Sequence, residues 1–255
     1  MARGQRGVLR ELARSRSLLV FDFDGTLAPI VRVPGRARMR PSTRALLREA
    51  ALLYPCAVVT GRALGDLQTR VAGLPLWAML GNHGAENGER RRGQREALRA
   101  VRAWRRTLHE RLASTDGVWI EDKRFSLTIH FRGAASRSMG TVLRAVQSLR
   151  GARLVGGHYG INVLPIDAPH KGTAVRALSR RARSESTLYV GDDCSDELVF
   201  ASRETPDLVA VRVKRSLTSR AAYYLRDQKE IDDLLSALVA LRRAEQAAPR
   251  RSSAS

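Results

Sequence analysis

Asp22 and Asp24 stand two residues apart in "FDFDGTLAPI", at the end of an apolar run containing Leu18, Leu19, Val20, Phe21 and Phe23. A carboxylate beside a buried strand is costly unless a cation, a metal or a proton compensates it. Three further motifs offer partners: "TGR" with Thr60, Gly61 and Arg62, "HKGT" with Lys171, and "GDDCSDE" with Asp192, Asp193 and Asp196. Each has a bland reading when taken alone: an acidic turn, a chance tripeptide, a helix N-cap. A calcium loop starting at Asp22 does not fit, because Val33 falls where such a loop needs its final glutamate. In this order along one chain, the four motifs are hard to explain by chance.

Together they are the parts of phosphoryl transfer through an aspartyl-phosphate. Asp22 is the expected nucleophile. The side chains of Asp22 and Asp192, with the backbone carbonyl of Asp24, are the expected ligands of a magnesium ion, which keeps the nucleophile's charge and the substrate's charge from repelling each other. The Asp24 side chain is then available to protonate the leaving alkoxide and later to deprotonate water. Thr60 is expected to hydrogen-bond a phosphoryl oxygen, with Gly61 and Arg62 lining the substrate side beside it, and Lys171 to balance the negative charge. Asp193 and Asp196 suit holding metal-bound water or orienting Lys171. Gly25 permits the sharp turn that opens the site.

Such residues need strand ends to position them. Short β-branched runs ("SLLVF", "PCAVVTGR", "LWAML") alternate with helical periodicity as far as residue 87, and the alternation resumes from Lys171 with "TLYVGDD" and "LVAVRV". Between them lies a different rhythm. The amphipathic stretch "GQREALRAVRAWRRTLHERL" is followed by "GVWIED" and "FSLTIHFR" as a hairpin, a helix, and the strands "ARLVG" and "GINVLP". The reading is an α/β fold: a doubly wound parallel-sheet (Rossmann-like) core interrupted by an inserted α+β cap domain. The expected divisions are a basic segment at 1–16, a discontinuous core at 17–87 and 166–244, a cap at 88–165, and a disordered tail at 245–255.

Composition narrows the classes. Hydrophobic residues at 44% and charged residues at 27% describe a globular chain, and no apolar run approaches the roughly 20 residues of a membrane helix. The basic N-terminus is not built like a signal peptide, so a cytoplasmic location is expected. Cys56 and Cys194 have neither metal-ligand spacing nor a disulfide framework. The net charge of +20 invites a nucleic-acid reading. It is discounted because only four of the 45 basic residues are lysines, the arginines are spread through every segment, and no nucleic-acid motif is present. The expected partner is a small anionic sugar phosphate taken up by a monomer, with neither membrane nor specific nucleic acid. A non-catalytic basic binding protein is the rival from another class.

The four motifs in this order resemble the haloacid dehalogenase superfamily of phosphatases. "GNHGAE", "EDKRFSLTIHFR", "HKGTA" and "VGDDCSDELVF" resemble, within it, the trehalose-6-phosphate phosphatase family, over roughly residues 17 to 240. The resemblance implies magnesium-dependent hydrolysis of trehalose 6-phosphate. It also implies that Glu121 and Lys123 on a cap strand bind sugar hydroxyls, that Arg132 sits near the phosphate or the sugar, and that His83, Gly84 and Glu86 line the core side of the cleft. In "GHYGINVLP" this chain carries His158, Asn162 and Leu164 where the family usually has charged residues. His158 and Asn162 are expected to bind sugar as neutral hydrogen-bonding groups, which makes another glycosyl or pseudodisaccharide phosphate the rival substrate.

Overall fold

The computed structural model describes residues 3–89, 93–136, 138–157 and 160–248. The chain opens with α1 (Arg3–Arg14), β1 (Ser17–Phe21), α2 (Pro41–Leu53), β2 (Cys56–Val59), α3 (Leu64–Arg70) and β3 (Ala78–Leu80). The inserted section follows as α4 (Gln94–Leu112), β4 (Trp119–Asp122), β5 (Leu127–His130), α5 (Ser138–Gln147), β6 (Ala152–Gly157) and β7 (Gly160–Pro165). The chain then runs through α6 (Lys171–Ala182), β8 (Ser186–Gly191), α7 (Glu197–Phe200), β9 (Leu208–Val213), β10 (Tyr223–Leu225) and α8 (Ile231–Ala247).

Six strands form one parallel sheet in the order β10-β9-β8-β1-β2-β3. From β1 the chain winds outward to β3, then returns to β8 on the other side of β1 and winds outward again. The reversal therefore falls between β1 and β8, and the crevice at their carboxyl ends is where such sheets bind ligands. β1 is buried at every position because alternate residues feed two cores. Leu19 and Phe21 pack with α1, α2, α3 and α8, while Leu18 and Val20 pack with α6 and α7. This is why the strand reads as a continuous apolar run. No helix among the described residues is long and apolar enough to cross a membrane.

The inserted section forms an antiparallel sheet, β4-β5-β7-β6. Its two faces differ as strand alternation requires. Leu127, Ile129 and Val163 pack beneath Val101, Trp104 and Leu108 of α4 and Val142 of α5. Glu121, Thr128, His130 and Asn162 lie on the opposite face and line a cleft against the parallel sheet.

The basic N-terminal helix contributes to the core: Leu9 and Leu12 of α1 are buried there, where the helix packs against α8. "DELVFASR" yields only the four-residue α7 preceded by one 3-10 turn. β10 is an edge strand too short to carry a pattern. α8 runs to Ala247, past the expected boundary at 244, and residues 249–255 lie outside the described part.

Candidate active site

The first carboxylate is delivered by β1 and the second by β8. Asp22 directly follows β1, and its N–H extends the pairing by donating to Val190 O at 2.9 Å. Asp192 follows β8. The turn after Asp22 passes through Gly25 at φ +79°, where a Cβ would lie 2.0 Å from Asp192 Oδ2. Only glycine allows the two strand ends to close on each other here. Asp22, Asp192 and Asp196 consequently bring carboxylate oxygens within 4.8 Å of one another, all buried. Burial, outweighing the attraction of Lys171, pushes Asp22 up to about 7. Burial and the neighbouring Asp22, Asp196 and Asp193 push Asp192 to about 9.

Asp196 is fully engaged. Its Oδ1 accepts from Lys171 Nζ at 2.7 Å and from Tyr189 Oη at 2.6 Å, and its Oδ2 accepts from the N–H groups of Asp192 and Asp193, each at 2.9 Å. Asp22 and Asp192 are therefore the side chains that fit a cation, with Asp196 as the group that orders the loop and the lysine. Buried, mutually repelling carboxylates drawn together over a glycine turn suit an oxygen-loving divalent ion, which makes the cluster a candidate metal site.

Lys171 enters through a helix start. His170 is the N-cap of α6, and it exchanges capping hydrogen bonds with Thr173, which places Lys171 as the first helical residue. That explains the spacing of "HKGT". Its ammonium donates to Asp22 Oδ1 at 2.9 Å as well as to Asp196. Burial alone would lower Lys171, but Asp196 and Asp22 hold it well above the ordinary lysine value.

Thr60 caps the end of β2 and is 1% exposed in the cleft. Arg62 lines the cleft with its guanidinium paired to two acids: Nε and Nη2 grip the Asp24 carboxylate, each at 2.6 Å, and Nη1 donates to Asp66 at 2.7 Å. The clamp is built on the Phe23 ring 5.4 Å away. His83 lines the cleft with φ +58° and packs its ring against Gly61, where a Cβ would meet it at 2.8 Å. Burial, then Lys171 and Lys123, lower His83 to about 3, so the imidazole is neutral.

From the cap, Glu121 and Lys123 project together, their charged atoms 3.6 Å apart. Lys123 Nζ reaches across to the Gly61 carbonyl at 3.1 Å, tying cap to core. Burial lowers Lys123 against the pull of Glu121 and Asp24. Glu121 meets His130 Nε2 at 2.8 Å, and this bond, with Lys123, holds its carboxyl below the usual value despite burial. Arg132, Asp193 and Asn162 also line the cleft, which has a volume of about 240 Å³. Asn162 accepts from Thr128 Oγ1 at 2.7 Å and donates to Val155 O at 3.3 Å. Asp193 caps the turn after β8 by accepting from Cys194 N–H at 2.7 Å.

Two expected cleft residues are structural instead. Glu86 accepts from Leu64 N–H at 2.8 Å and Asn82 Nδ2 at 2.7 Å, so it caps α3 from beneath the cleft. Gly84, at φ +101°, lies where a Cβ would meet Ala174 Cβ at 2.5 Å; it lets the loop touch α6. His158 lies outside the described residues. Two residues went unnoticed in the sequence. Tyr189 is a phenol on an otherwise apolar strand, and a buried hydroxyl needs a partner; that signal was available in "TLYVGDD". Trp119 stacks on His130 with ring centroids 3.8 Å apart, a cross-strand pair that depends on register.

A parallel sheet carrying its charged cluster at the β1/β8 switch point, roofed by a four-stranded antiparallel cap, is the subclass IIB-like architecture of the haloacid dehalogenase superfamily. It matches the C-terminal domain of a trehalose-6-phosphate phosphatase of C. albicans with a TM-score of 0.79 at 20% identity, covering 92% of this chain and 97% of that one. A subclass IIB sugar phosphatase matches with a TM-score of 0.57 at 16% identity, over 86% and 98% of the two chains. In sequence, trehalose-phosphate phosphatases of Mycobacterium ulcerans and Mycobacterium tuberculosis are 33% and 32% identical over 79% and 76% of this chain. The chain spans about half the length of these relatives, 55% and 53%. Residues 20–228 match the trehalose-phosphatase family model, and the chain belongs to that family.

Proposed function

We propose that the chain is a phosphatase that hydrolyses trehalose 6-phosphate, with Asp22 as nucleophile and magnesium as cofactor. The observation that carries this reading is the buried contact of Lys171 with Asp22 and Asp196 at the ends of β1 and β8, facing a cap strand that presents Glu121 and Lys123. Asp22 attacks phosphorus and the ester P–O bond breaks, leaving an acyl phosphate on Asp22 and a sugar alkoxide that takes a proton from Asp24. Asp24 then takes a proton from water, which attacks the acyl phosphate and returns Asp22 and free phosphate. Asp24 is turned toward Arg62 here, so proton transfer requires it to turn from that clamp to the leaving oxygen. Lys171 and Thr60 hold the transferring group, and Asp196, through Tyr189 and the loop N–H groups, holds Lys171. Magnesium, held by Asp22, Asp192 and the Asp24 carbonyl, supplies charge neutralisation between nucleophile and phosphate when bound. In this reading a small sugar phosphate is the partner of a cytoplasmic monomer.

Glu121 and Lys123 bind the sugar hydroxyls, with Arg132 at the cap edge. One observation favours a second reading, another glycosyl phosphate: Asn162, neutral where the family usually has a charge, uses one acceptor site on Thr128 and one N–H on Val155. The test is phosphate release with magnesium from trehalose 6-phosphate, sucrose 6-phosphate and glucose 6-phosphate. A preference of ten-fold or more for trehalose 6-phosphate, by the order expected of a few well-placed sugar contacts, supports the first reading. A preference for another sugar phosphate supports the second, and release from none refutes both.

A further inference from the structure

We propose that Trp119, backed by His130, is a stacking platform that takes the apolar C–H face of a pyranose ring remote from the phosphate and so selects two-ring sugar phosphates. This rests on the reading of the cleft as a sugar-phosphate site.

Trp119 breaks the pattern of its own hairpin. On β4 and β5 the apolar Ile120, Leu127 and Ile129 turn toward α4 and α5, and the cleft side otherwise carries Glu121, Thr128 and His130. The indole lies on the cleft side, on the same face of β4 as Glu121, and is 51% exposed. One ring face is covered by His130 at 3.8 Å and 12°. His130 is fixed in turn by Glu121 at 2.8 Å, Glu121 faces Lys123 at 3.6 Å, and Lys123 is bonded to Gly61 O at 3.1 Å. A line of contacts thus runs from the indole down the strand to the residue after Thr60. It holds the ring before any ligand arrives, which lowers the entropy lost on binding.

Position selects the ring. Trp119 stands four residues before Lys123, about 13 Å at strand spacing, and Lys123 is the end that touches Gly61 beside Thr60, so the indole is set back along the cap from the phosphate end of the cleft. The same cleft also takes in Ile30, 39% exposed, and Val31 from the segment after the Asp24 turn, together with Arg32 and with Arg132, which donates to Val31 O. It thus offers apolar surface beside charged groups. A pyranose with equatorial hydroxyls has this same division, with hydroxyls at its rim and C–H groups on its faces, and covering such a face with an aromatic ring removes apolar area from water. A cross-strand pair serving only the sheet makes a different prediction.

The experiment compares wild type, Trp119→Ala and Trp119→Phe on acetyl phosphate, which has no ring, and on whichever of trehalose 6-phosphate, sucrose 6-phosphate and glucose 6-phosphate the wild type hydrolyses fastest. The platform predicts that Trp119→Ala lowers kcat/KM on the two-ring substrate by about 10- to 100-fold, mostly through KM, the scale of losing an aromatic anchor. Activity on acetyl phosphate should stay within about two-fold and Trp119→Phe should recover most of the loss. An unchanged kcat/KM, or an equal fall on both substrates, overturns the platform. Preference for sucrose 6-phosphate overturns the trehalose reading while the Trp119 comparison still decides the platform. Glucose 6-phosphate as the best substrate, or no sugar phosphate hydrolysed at all, overturns both.

Discussion

Replacing Lys171 with methionine removes the only cation that touches both Asp22 and Asp196 among the described residues. The ammonium is 2% exposed and donates at 2.9 Å and 2.7 Å. A hydrogen bond to a charged group contributes about 1.5–3 kcal/mol, and breaking a buried ion pair from one side costs about 3–5 kcal/mol because the abandoned charge stays buried. Lys171→Met alone should therefore destabilise the protein by about 3–5 kcal/mol. Asp22→Asn removes the charge that the lysine was compensating, so the double variant should be less destabilised than the sum of the two, by about 1.5–3 kcal/mol. The assay is urea unfolding of the wild type, both single variants and the double variant, in chelator-treated buffer so that added metal does not enter the cycle. Additivity within about 0.5 kcal/mol would refute the reasoning that Lys171 is held by, and holds, Asp22.

Three further outcomes follow from particular contacts. Gly25→Ala puts a Cβ against the Asp192 carboxylate at a left-handed position, so it should raise the magnesium concentration for half-maximal activity by about ten-fold or more, the scale of disturbing a ligand's support; unchanged magnesium dependence would contradict the assignment of Asp192. Arg62→Lys keeps a charge but loses the paired contact to Asp24, and because Asp24 is 38% exposed the stability loss should be modest, about 1–2 kcal/mol by urea unfolding. Hydrogen bonds from Arg70 and Arg62 overcome burial to hold the Asp66 carboxyl below its usual 3.8. A folded-state value below the unfolded one adds stability that is fully present above pH 3.8 and is lost as pH falls through the folded value. Asp66→Asn should therefore flatten the acid limb of the stability curve measured by urea unfolding, and an unaltered limb would sink that account.

The core was legible because parallel strands buried on both faces leave continuous apolar runs, and because a strand end at a switch point is where polar motifs collect. "FDFDGT" and "VGDD" are such ends. The inserted hairpin was legible from "GVWIED" and "FSLTIHFR" by alternation. What escaped depends on distant partners. α1 reads as a basic segment until α8 is there to cover Leu9 and Leu12. Arg62 reads as a residue lining the substrate side, and its grip on Asp24 and Asp66, separated from one another in the chain, emerges only from the fold. Glu86 and Gly84 sit in a motif that resembles a binding loop, yet they serve the cap of α3 and the approach of α6. Trp119 and His130 meet only through the β4–β5 register, which no local pattern encodes.

The central claim is that Asp22 becomes phosphorylated during turnover. It is tested most directly by mixing the protein and magnesium with trehalose 6-phosphate carrying a radiolabelled phosphate, quenching in acid within the first turnover, and locating protein-bound label by peptide mapping. The account predicts label on the peptide containing Asp22, released by alkali, and none in Asp22→Asn. Phosphate release without any protein-bound label, or label that persists in Asp22→Asn, would contradict it.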